Sequence, residues 1–214
     1  MSNRSSKSIT LNAVLNAAKE FSTLVLPLVT FPYVTRVLHS EGYGKFTFCA
    51  SIVNYFLMLA ALGINVYAVR ESASLRNDRK RYSEFASEVF SLNVISSIVS
   101  YLFLFGLLVF WQPEHEYKVM ICILSAEIIS STLNVDWVFS GNEDYSFLSA
   151  RGILAQLAKV ILVFAFVKNS TDYILYAALV VLPIAISGFV SFLTARKYAD
   201  LRIAFSKGIQ KHLT

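Results

Sequence analysis

Three ionisable side chains lie within stretches of sequence that are otherwise apolar: Lys19, Glu127 and Lys159. A charge at the centre of a bilayer costs about 2.5–3.5 kcal/mol on insertion scales, so it needs a partner or a water-filled cavity. Two cations and one acid in this setting predict an inward cavity that is lined by charge. A cationic cavity in a membrane suits an anionic passenger.

Neutral polar residues extend this pattern. Asn16, Lys19 and Thr23 each lie within about 40° of Asn12 around a helix, which makes one polar stripe. Asn54 and Asn65 are 11 residues apart and share a face in the same way. The candidate cavity residues are Asn12, Asn16, Lys19, Thr23, Arg36, Asn54, Asn65, Arg151 and Lys159.

A structural interpretation of such stripes stays open. Asn93, Ser97 and Ser100 align on one face, as do Glu127, Ser131 and Asn134. Hydroxyl and amide side chains in membrane helices often bond to a neighbouring helix, which is worth about 0.6 kcal/mol each. On a continuous helix, Asp136 would lie about 180° from Glu127.

The composition requires a lipid environment for these stretches. Of the 214 residues, 56% are hydrophobic and only 15% are charged, whereas soluble domains average about 25% charged residues. The net charge is +5, but the basic residues cluster beside apolar runs, which argues against nucleic acid as a partner. Two cysteines and three dispersed histidines predict neither a disulfide framework nor a metal site.

Six apolar stretches are long enough to cross a bilayer, which takes about 20 helical residues. Each must be helical, because lipid offers no partner to backbone polar groups. The fold class is therefore all-α, an integral membrane bundle of six helices. The predicted spans are 9–37, 46–69, 85–111, 119–139, 147–167 and 173–195.

The distribution of Lys and Arg predicts the orientation of this bundle. Thirteen of them lie in or beside the N-terminus, the second and fourth loops and the C-terminal segment, and four lie in the alternate loops. Because basic loops stay in the cytoplasm, both termini are predicted to be cytoplasmic. Residues 1–195 form the six-helix lobe and residues 196–214 a basic cytoplasmic segment. We read the first span as retained, since no cleavage site follows it.

The sequence offers no apparatus for covalent chemistry. We find no P-loop, no GxGxxG after a strand and no HExxH, and the loops are too short for a catalytic domain. The prediction is a transporter without cofactor or metal rather than an enzyme. A membrane-embedded glycosyltransferase is the enzymatic alternative. It would need acidic catalytic or metal-binding residues in an exposed loop, for which Asn142, Glu143 and Asp144 are a weak candidate.

Three segments carry a resemblance to a known family. They read PLVTFPYVTRVLHSEGYGKFTF at 27–48, LGINVYAVRE at 62–71 and DWVFSGNEDYSFLSAR at 136–151. These segments resemble the signature regions of Wzx-type polysaccharide flippases, in the multidrug/oligosaccharidyl-lipid/polysaccharide exporter superfamily. The matching residues are Pro32, Arg36, Gly42, Gly44, Arg70, Glu71, Asp136, Trp137, Gly141, Glu143 and Tyr145.

The resemblance implies translocation of undecaprenyl-pyrophosphate-linked O-antigen or polysaccharide repeat units across the bacterial inner membrane. It also implies a two-lobed, MATE-like fold of twelve or more helices, of which this chain is the N-terminal lobe. The implied partners are the lipid-linked oligosaccharide, membrane lipids, a C-terminal lobe or second copy, the polysaccharide polymerase and glycosyltransferases. Glu20, Glu127 and Asp136 are the candidates for binding a coupling proton or ion.

The sequence departs from the family pattern at two positions. His39 stands where the family usually has Gly, so a different bend is expected at that turn, and Ser140 stands where Gln is common. Two alternatives stay open beside the flippase interpretation. One is a drug or small-cation exporter of the same superfamily, which would favour a net acidic cavity. The other is a non-transporting scaffold for polysaccharide assembly.

Overall fold

The computed structural model describes residues 2–61, 64–75 and 78–202, with side chains from Ala13 onward apart from Ile64. These residues form helices and connections, and no strand occurs among them. The helices are α1 Ser2–Ala61, α2 Ile64–Leu75, α3 Arg79–Trp111, α4 His115–Leu133, α5 Asp136–Gly141, α6 Tyr145–Phe166 and α7 Tyr173–Ala195.

Five helical segments are long and apolar enough to cross a membrane. They are Ala13–Leu75, Arg79–Trp111, His115–Gly141, Tyr145–Phe166 and Tyr173–Ala195. Large apolar side chains face outward from these helices, including Phe110 at 90% exposure and Tyr55 at 73%. Exposed apolar surface of this kind marks contact with lipid or with other protein, and the five long apolar helices assign it to lipid, so the fold is a multi-pass helical membrane bundle.

Aspartate side chains order the connections before α3 and α7. The Asp78 carboxylate accepts hydrogen bonds from the N–H groups of Lys80 and Arg81, at 3.1 and 3.2 Å, and so starts α3. Before α7, the Asp172 carboxylate accepts from the N–H groups of Lys168 and Asn169, at 2.9 and 2.8 Å. These bonds favour the ionised carboxylate and lower the pKa of Asp172.

Helix α1 breaks at His39 and the chain turns back there. Before the break, α1 runs parallel to α6: Lys19 packs on Gly152, and the Tyr33 hydroxyl donates to the Val167 carbonyl at 2.8 Å. After the break it runs antiparallel to α3, as two hydrogen bonds between these helices show.

The Ser100 hydroxyl donates to the Phe56 carbonyl, and the Ser96 hydroxyl donates to the Ala60 carbonyl. Residue numbers therefore rise along α1 where they fall along α3. We therefore distinguish two ends of the bundle. The His39 end contains residues 39–45, 112–116 and 167–172, and the Trp137 end contains residues 78–85, 134–144 and 195–202.

Three apolar clusters hold the helices together. At the Trp137 end, Trp137, Phe139 and Tyr82 are buried with residues of α6 and α7. A central cluster joins the second half of α1 to α3, α4 and α7. A third cluster joins the first half of α1 to α6 and α7 near the His39 end. Helix packing thus fixes the relative positions of the polar side chains between α1, α4, α6 and α7.

His39 is predicted to limit the stability of the turn. Its backbone has φ 56° and ψ 179°, a region that is essentially restricted to glycine. We expect His39→Gly to raise the free energy of unfolding by about 1 kcal/mol, because glycine adopts this conformation without steric strain. Urea titration in mixed micelles measures the change. His39→Ala retains the strained Cβ and is the control, and a lower stability for His39→Gly would contradict the prediction.

One of the predicted spans needs a correction. The span predicted at 119–139 is divided, because α4 ends at Leu133 and α5 begins at Asp136. Within the span predicted at 46–69, helix is described to Ala61 and again from Ile64, and residues 62–63 lie outside the described part. Of the segment 196–214, residues 196–198 form a turn after α7, and Tyr198 and Ala199 pack at the Trp137 end; residues 203–214 lie outside the described part.

Candidate functional site

A polar groove of about 400 Å³ lies between the first half of α1, α4, α6 and α7. Its charged side chains are Lys19, Glu127, Asp136 and Arg151. Its polar and small members are Thr23, Ser130, Ser131, Asn134, Gly152, Gln156 and Ser187, and Leu57, Ala155 and Ile184 complete the wall. Four charged residues from three predicted apolar stretches therefore meet in one groove.

Arg151 is the most heavily bonded side chain of the polar groove. Its Nη2 donates to Asp136 in an ion pair, and its Nη1 donates to Asn134 Oδ1 and to the Ser187 carbonyl, both at 2.8 Å. The Arg151 side chain is only 9% exposed, against 34% for Asp136. Helices α4, α5, α6 and α7 are thus tied together at one guanidinium.

The position of Asp136 corrects the prediction that it lies opposite Glu127. That prediction assumed one continuous helix, whereas the structure has non-helical backbone at Asn134 and Val135. The break reorients Asp136 so that it lines the same groove as Glu127.

Lys19 enters the polar groove from α1. Its aliphatic carbons pack over Gly152 of α6, where a Cβ would lie 3.3 Å from Lys19 Cγ and Cε. Its ammonium lies 3.9 Å from the Glu20 carboxylate, a long ion pair with an acid whose side chain is 62% exposed. Lys19 therefore has a positioned stem and an ammonium that is weakly neutralised.

Lys159 does not line the polar groove. It lies in a separate pocket of about 110 Å³ with Pro27, Thr30, Tyr43 and Tyr176, nearer the His39 end. It interacts electrostatically with Glu127. Among the described residues, the groove itself thus has two cations and two acids, rather than the excess of cations predicted with Lys159 inside it.

The other predicted cavity residues are dispersed. Asn16, Arg36 and Asn54 are exposed outside the polar groove, and Asn65 lines a small pocket of about 30 Å³ with Asn93. The Thr23 hydroxyl donates to the Glu20 carbonyl of its own helix at 2.7 Å. The side chain of Asn12 lies outside the described residues.

The hydroxyl stripe on α3 bonds to neighbouring helices. Ser97 and Thr132 of α4 share a hydrogen bond at 2.5 Å, and Ser100 bonds to the carbonyl of Phe56 at 2.6 Å. These groups are buried and lie apart from the polar groove. Their role is helix packing.

Two groove contributions had no signal in the sequence. The Ser187 carbonyl accepts from Arg151 although α7 reads as almost wholly apolar. Gly152 admits the Lys19 stem, which only the pairing of α1 with α6 reveals. Ser131, Asn134 and Gln156 also line the groove and could have been predicted as cavity residues. Ser131 and Asn134 align with Glu127 on one helical face, and Gln156 lies in the same predicted span as Arg151.

The motif residues at the Trp137 end have structural roles. Gly141 packs so closely on α2 that a Cβ would lie 1.9 Å from Ser72 Oγ. Trp137 is buried, and the Asn142 amide donates to the Tyr82 hydroxyl at 2.9 Å. Together with Ala68, which is buried in the same cluster as Trp137, these contacts join α2 to α5.

The remaining motif residues lie at the surface or at turns. Gly42 is buried, and a Cβ there would lie 3.2 Å from the Ser170 carbonyl. Glu143 has φ 59° in the connection after α5. The exposed members are Pro32, Arg36, Gly44 and Arg70, and the half-buried ones are Glu71 and Tyr145.

Comparison with known proteins decides the family. The polysaccharide biosynthesis protein family matches residues 9–214. The chain belongs to this family. The resemblance predicted from the segments at 27–48, 62–71 and 136–151 is thereby confirmed.

Two relatives of this polysaccharide biosynthesis protein are named "Putative O-antigen transporter". The one from Escherichia coli (strain K12) is 26% identical over 188 residues, which are 88% of this chain and 43% of the relative. The one from Shigella dysenteriae is 25% identical over 176 residues, 81% of this chain and 43% of the relative. The chain thus spans less than half the length of these relatives. No solved structure matches it significantly.

Proposed function

We propose that the chain forms one lobe of a flippase that moves undecaprenyl-linked polysaccharide or O-antigen repeat units across the bacterial inner membrane. The observation that carries this proposal is the polar groove, in which Lys19 and Arg151 lie beside neutral polar side chains that suit sugar hydroxyls. Membership of the polysaccharide biosynthesis protein family and the names of the two relatives support the same substrate class.

The weakly neutralised ammonium of Lys19 and the neutral polar side chains of the groove suit an anionic, heavily hydroxylated passenger. A pyrophosphate loses water when it leaves the aqueous phase, and fixed cations replace that hydration more effectively where the local dielectric constant is low. Lys19 offers an ammonium with three donors and a flexible stem. Ser131, Asn134 and Gln156 supply neutral donors and acceptors for sugar hydroxyls.

Glu127 is our candidate for ion coupling. It lines the polar groove, close enough to Lys159 to interact electrostatically. Asp136 is committed to Arg151, and Glu20 is largely exposed. A carboxylate that faces the passenger's path can bind a proton in one conformation and release it in another. Glu127 is therefore the acid whose protonation would be linked to transport.

A second lobe or a second copy is proposed to cover the polar groove. Asn134 and Ser131 are exposed and Asp136 is one-third exposed, so the groove is open on one face. The break at His39 would divide the segment Ala13–Leu75 into two crossings, giving six in this lobe. Two such lobes rocking about a common site would provide alternating access.

The proposed orientation places both termini in the cytoplasm. Basic residues concentrate at the Trp137 end, where Arg79, Lys80, Arg81, Arg196 and Lys197 lie. Reporter fusions after residues 78, 115, 143, 170 and 205 should read inside, outside, inside, outside and inside, because basic loops are retained in the cytoplasm. An external signal at residue 78 would contradict this orientation.

The flippase proposal predicts a strong dependence on Lys19. The gene that encodes this chain should restore surface polysaccharide in a flippase-null bacterial strain that makes the matching repeat unit. Lys19→Ala should lower surface polysaccharide about tenfold at matched protein level, because a charge-assisted hydrogen bond contributes about 1.5–3 kcal/mol. Lys19→Arg should retain most export, since charge matters more than shape.

Matched substitutions separate the polar groove from general charge effects. Lys159→Ala removes a cation from the neighbouring pocket and should have a smaller effect than Lys19→Ala. Lys118→Ala removes an exposed cation at the start of α4 and should export at the parental level. Parental export by Lys19→Ala would show that this cation is structural and would refute the groove as the passage.

A further inference from the structure

An apolar cleft of about 470 Å³ lies between α6 and α7, next to the polar groove. Its walls are apolar apart from Arg151 and Ser187, and they include Ala150, Leu154, Ala158, Leu162, Leu182 and Ile186. Leu154 is 65% exposed and Ile186 56%, so the cleft opens toward the surrounding lipid. Its volume lies within the range of small-molecule sites, about 300–1,000 Å³.

The apolar cleft and the polar groove meet at shared residues. Arg151, Ala155 and Ser187 line both of them. One continuous surface therefore changes from hydrocarbon-like to polar across a single guanidinium. An amphiphile with one hydrocarbon chain and a large polar head would place its anionic junction at Arg151.

Arg151 has donor capacity left for such an anion. A guanidinium carries five N–H donors, and three of them are used for Asp136, Asn134 and Ser187. Its Nε is buried and has no hydrogen-bond partner among the described residues. A phosphate oxygen would satisfy this donor, and a bidentate contact with phosphate suits arginine better than lysine.

The direction of the cleft agrees with this placement. From Arg151 to Leu162 along α6 is about 16 Å, roughly half of the hydrocarbon core. Arg151 lies near the Trp137 end, so a chain in the cleft would extend from that end toward the middle of the membrane. A bilayer phospholipid has two chains and a small head group. It matches one apolar cleft beside one polar groove less well than an amphiphile with a single chain and a large head does.

We infer that the cleft between α6 and α7 binds the polyprenyl chain of the lipid-linked saccharide, with its phosphate at Arg151 and its sugars in the polar groove. This inference rests on the proposed function and adds a lateral entry site for the passenger's lipid. Pro183 lies in the cleft wall within α7, so the helix that borders the cleft has lost one backbone hydrogen bond there.

Binding of radiolabelled geranylgeranyl phosphate to the purified chain in lipid nanodiscs tests this site. Ala158→Phe and Ala150→Phe fill the cleft with a ring and should each raise the Kd at least tenfold. Ala165→Phe adds the same ring at an exposed position of α6 outside the cleft and should leave the Kd unchanged. Arg151→Gln should weaken binding of the phosphate but not of geranylgeraniol.

Each result decides the inference independently of the flippase proposal. Equal Kd values for Ala150→Phe and Ala165→Phe, or no binding by the parent chain, would refute the cleft as the prenyl site. Displacement of the probe by added phosphatidylglycerol at equal potency would show a general phospholipid site and would also refute it. Complementation by the unsubstituted gene tests the flippase proposal separately. A flippase would export polysaccharide whichever of its surfaces binds the prenyl chain, so this result does not depend on the cleft. Ala150 is exposed, so its variant keeps the test informative if Ala158→Phe fails to fold.

Discussion

Asp136→Ala is expected to lower the free energy of unfolding by about 3 kcal/mol. The substitution leaves the Arg151 charge with two neutral acceptors in a site where its side chain is 9% exposed. Breaking a buried ion pair by removing one partner typically costs about 3–5 kcal/mol, and the partial exposure of Asp136 places the effect at the lower limit. Urea titration in mixed micelles, followed by tryptophan fluorescence, measures the change.

A second acid provides the matched control for this prediction. Glu41 pairs with Lys45 at 3.3 Å, but its side chain is 82% exposed. Glu41→Ala should change the free energy of unfolding by no more than about 1 kcal/mol. Adding Arg151→Leu to Asp136→Ala should recover part of the loss, because no unpaired charge remains. Equal midpoints for Asp136→Ala and Glu41→Ala would contradict the proposed importance of the pair.

Gly188→Leu is expected to separate α7 from α4 and to prevent stable folding of the lobe. An added Cβ at Gly188 would lie 2.7 Å from the Ser130 carbonyl oxygen and 3.4 Å from Ser130 Cα. These atoms belong to the backbone and cannot rotate away. Overpacking typically costs about 1–3 kcal/mol, so Gly188→Ala should show a loss in that range and the larger Leu more.

Gly106→Ala is the control for this steric effect. A Cβ at Gly106 of α3 meets no atom within 4 Å, so the helix should gain about 0.5–1 kcal/mol from the lower entropy of the unfolded chain. Thermal unfolding in detergent would be compared for both variants. Similar melting temperatures for Gly188→Ala and Gly106→Ala would show that the contact between α4 and α7 can relax.

The sequence alone determined the class of the protein and identified the charged residues within its apolar stretches. With 56% hydrophobic and 15% charged residues, the chain cannot cover a soluble surface, so helices in lipid follow from backbone hydrogen bonding. The charges of Lys19, Glu127 and Lys159 within apolar stretches also marked these residues as unusual, because a charge in lipid is costly wherever the helix packs. The three motif segments predicted the family, and the family match confirmed it.

The tertiary structure decided which of these side chains meet. Periodicity places residues around one helix, but it carries no information on which helix packs against which face. The pairing of α1 with α6 brings Lys19 over Gly152, and Lys159, two turns further along α6, falls into another pocket. The non-helical backbone at Asn134 and Val135 turns Asp136 toward Arg151, which a regular period of 3.6 residues could not predict. Local sequence therefore identified the charged residues, whereas helix packing and one helix break determined their partners, because both arise from contacts distant in sequence.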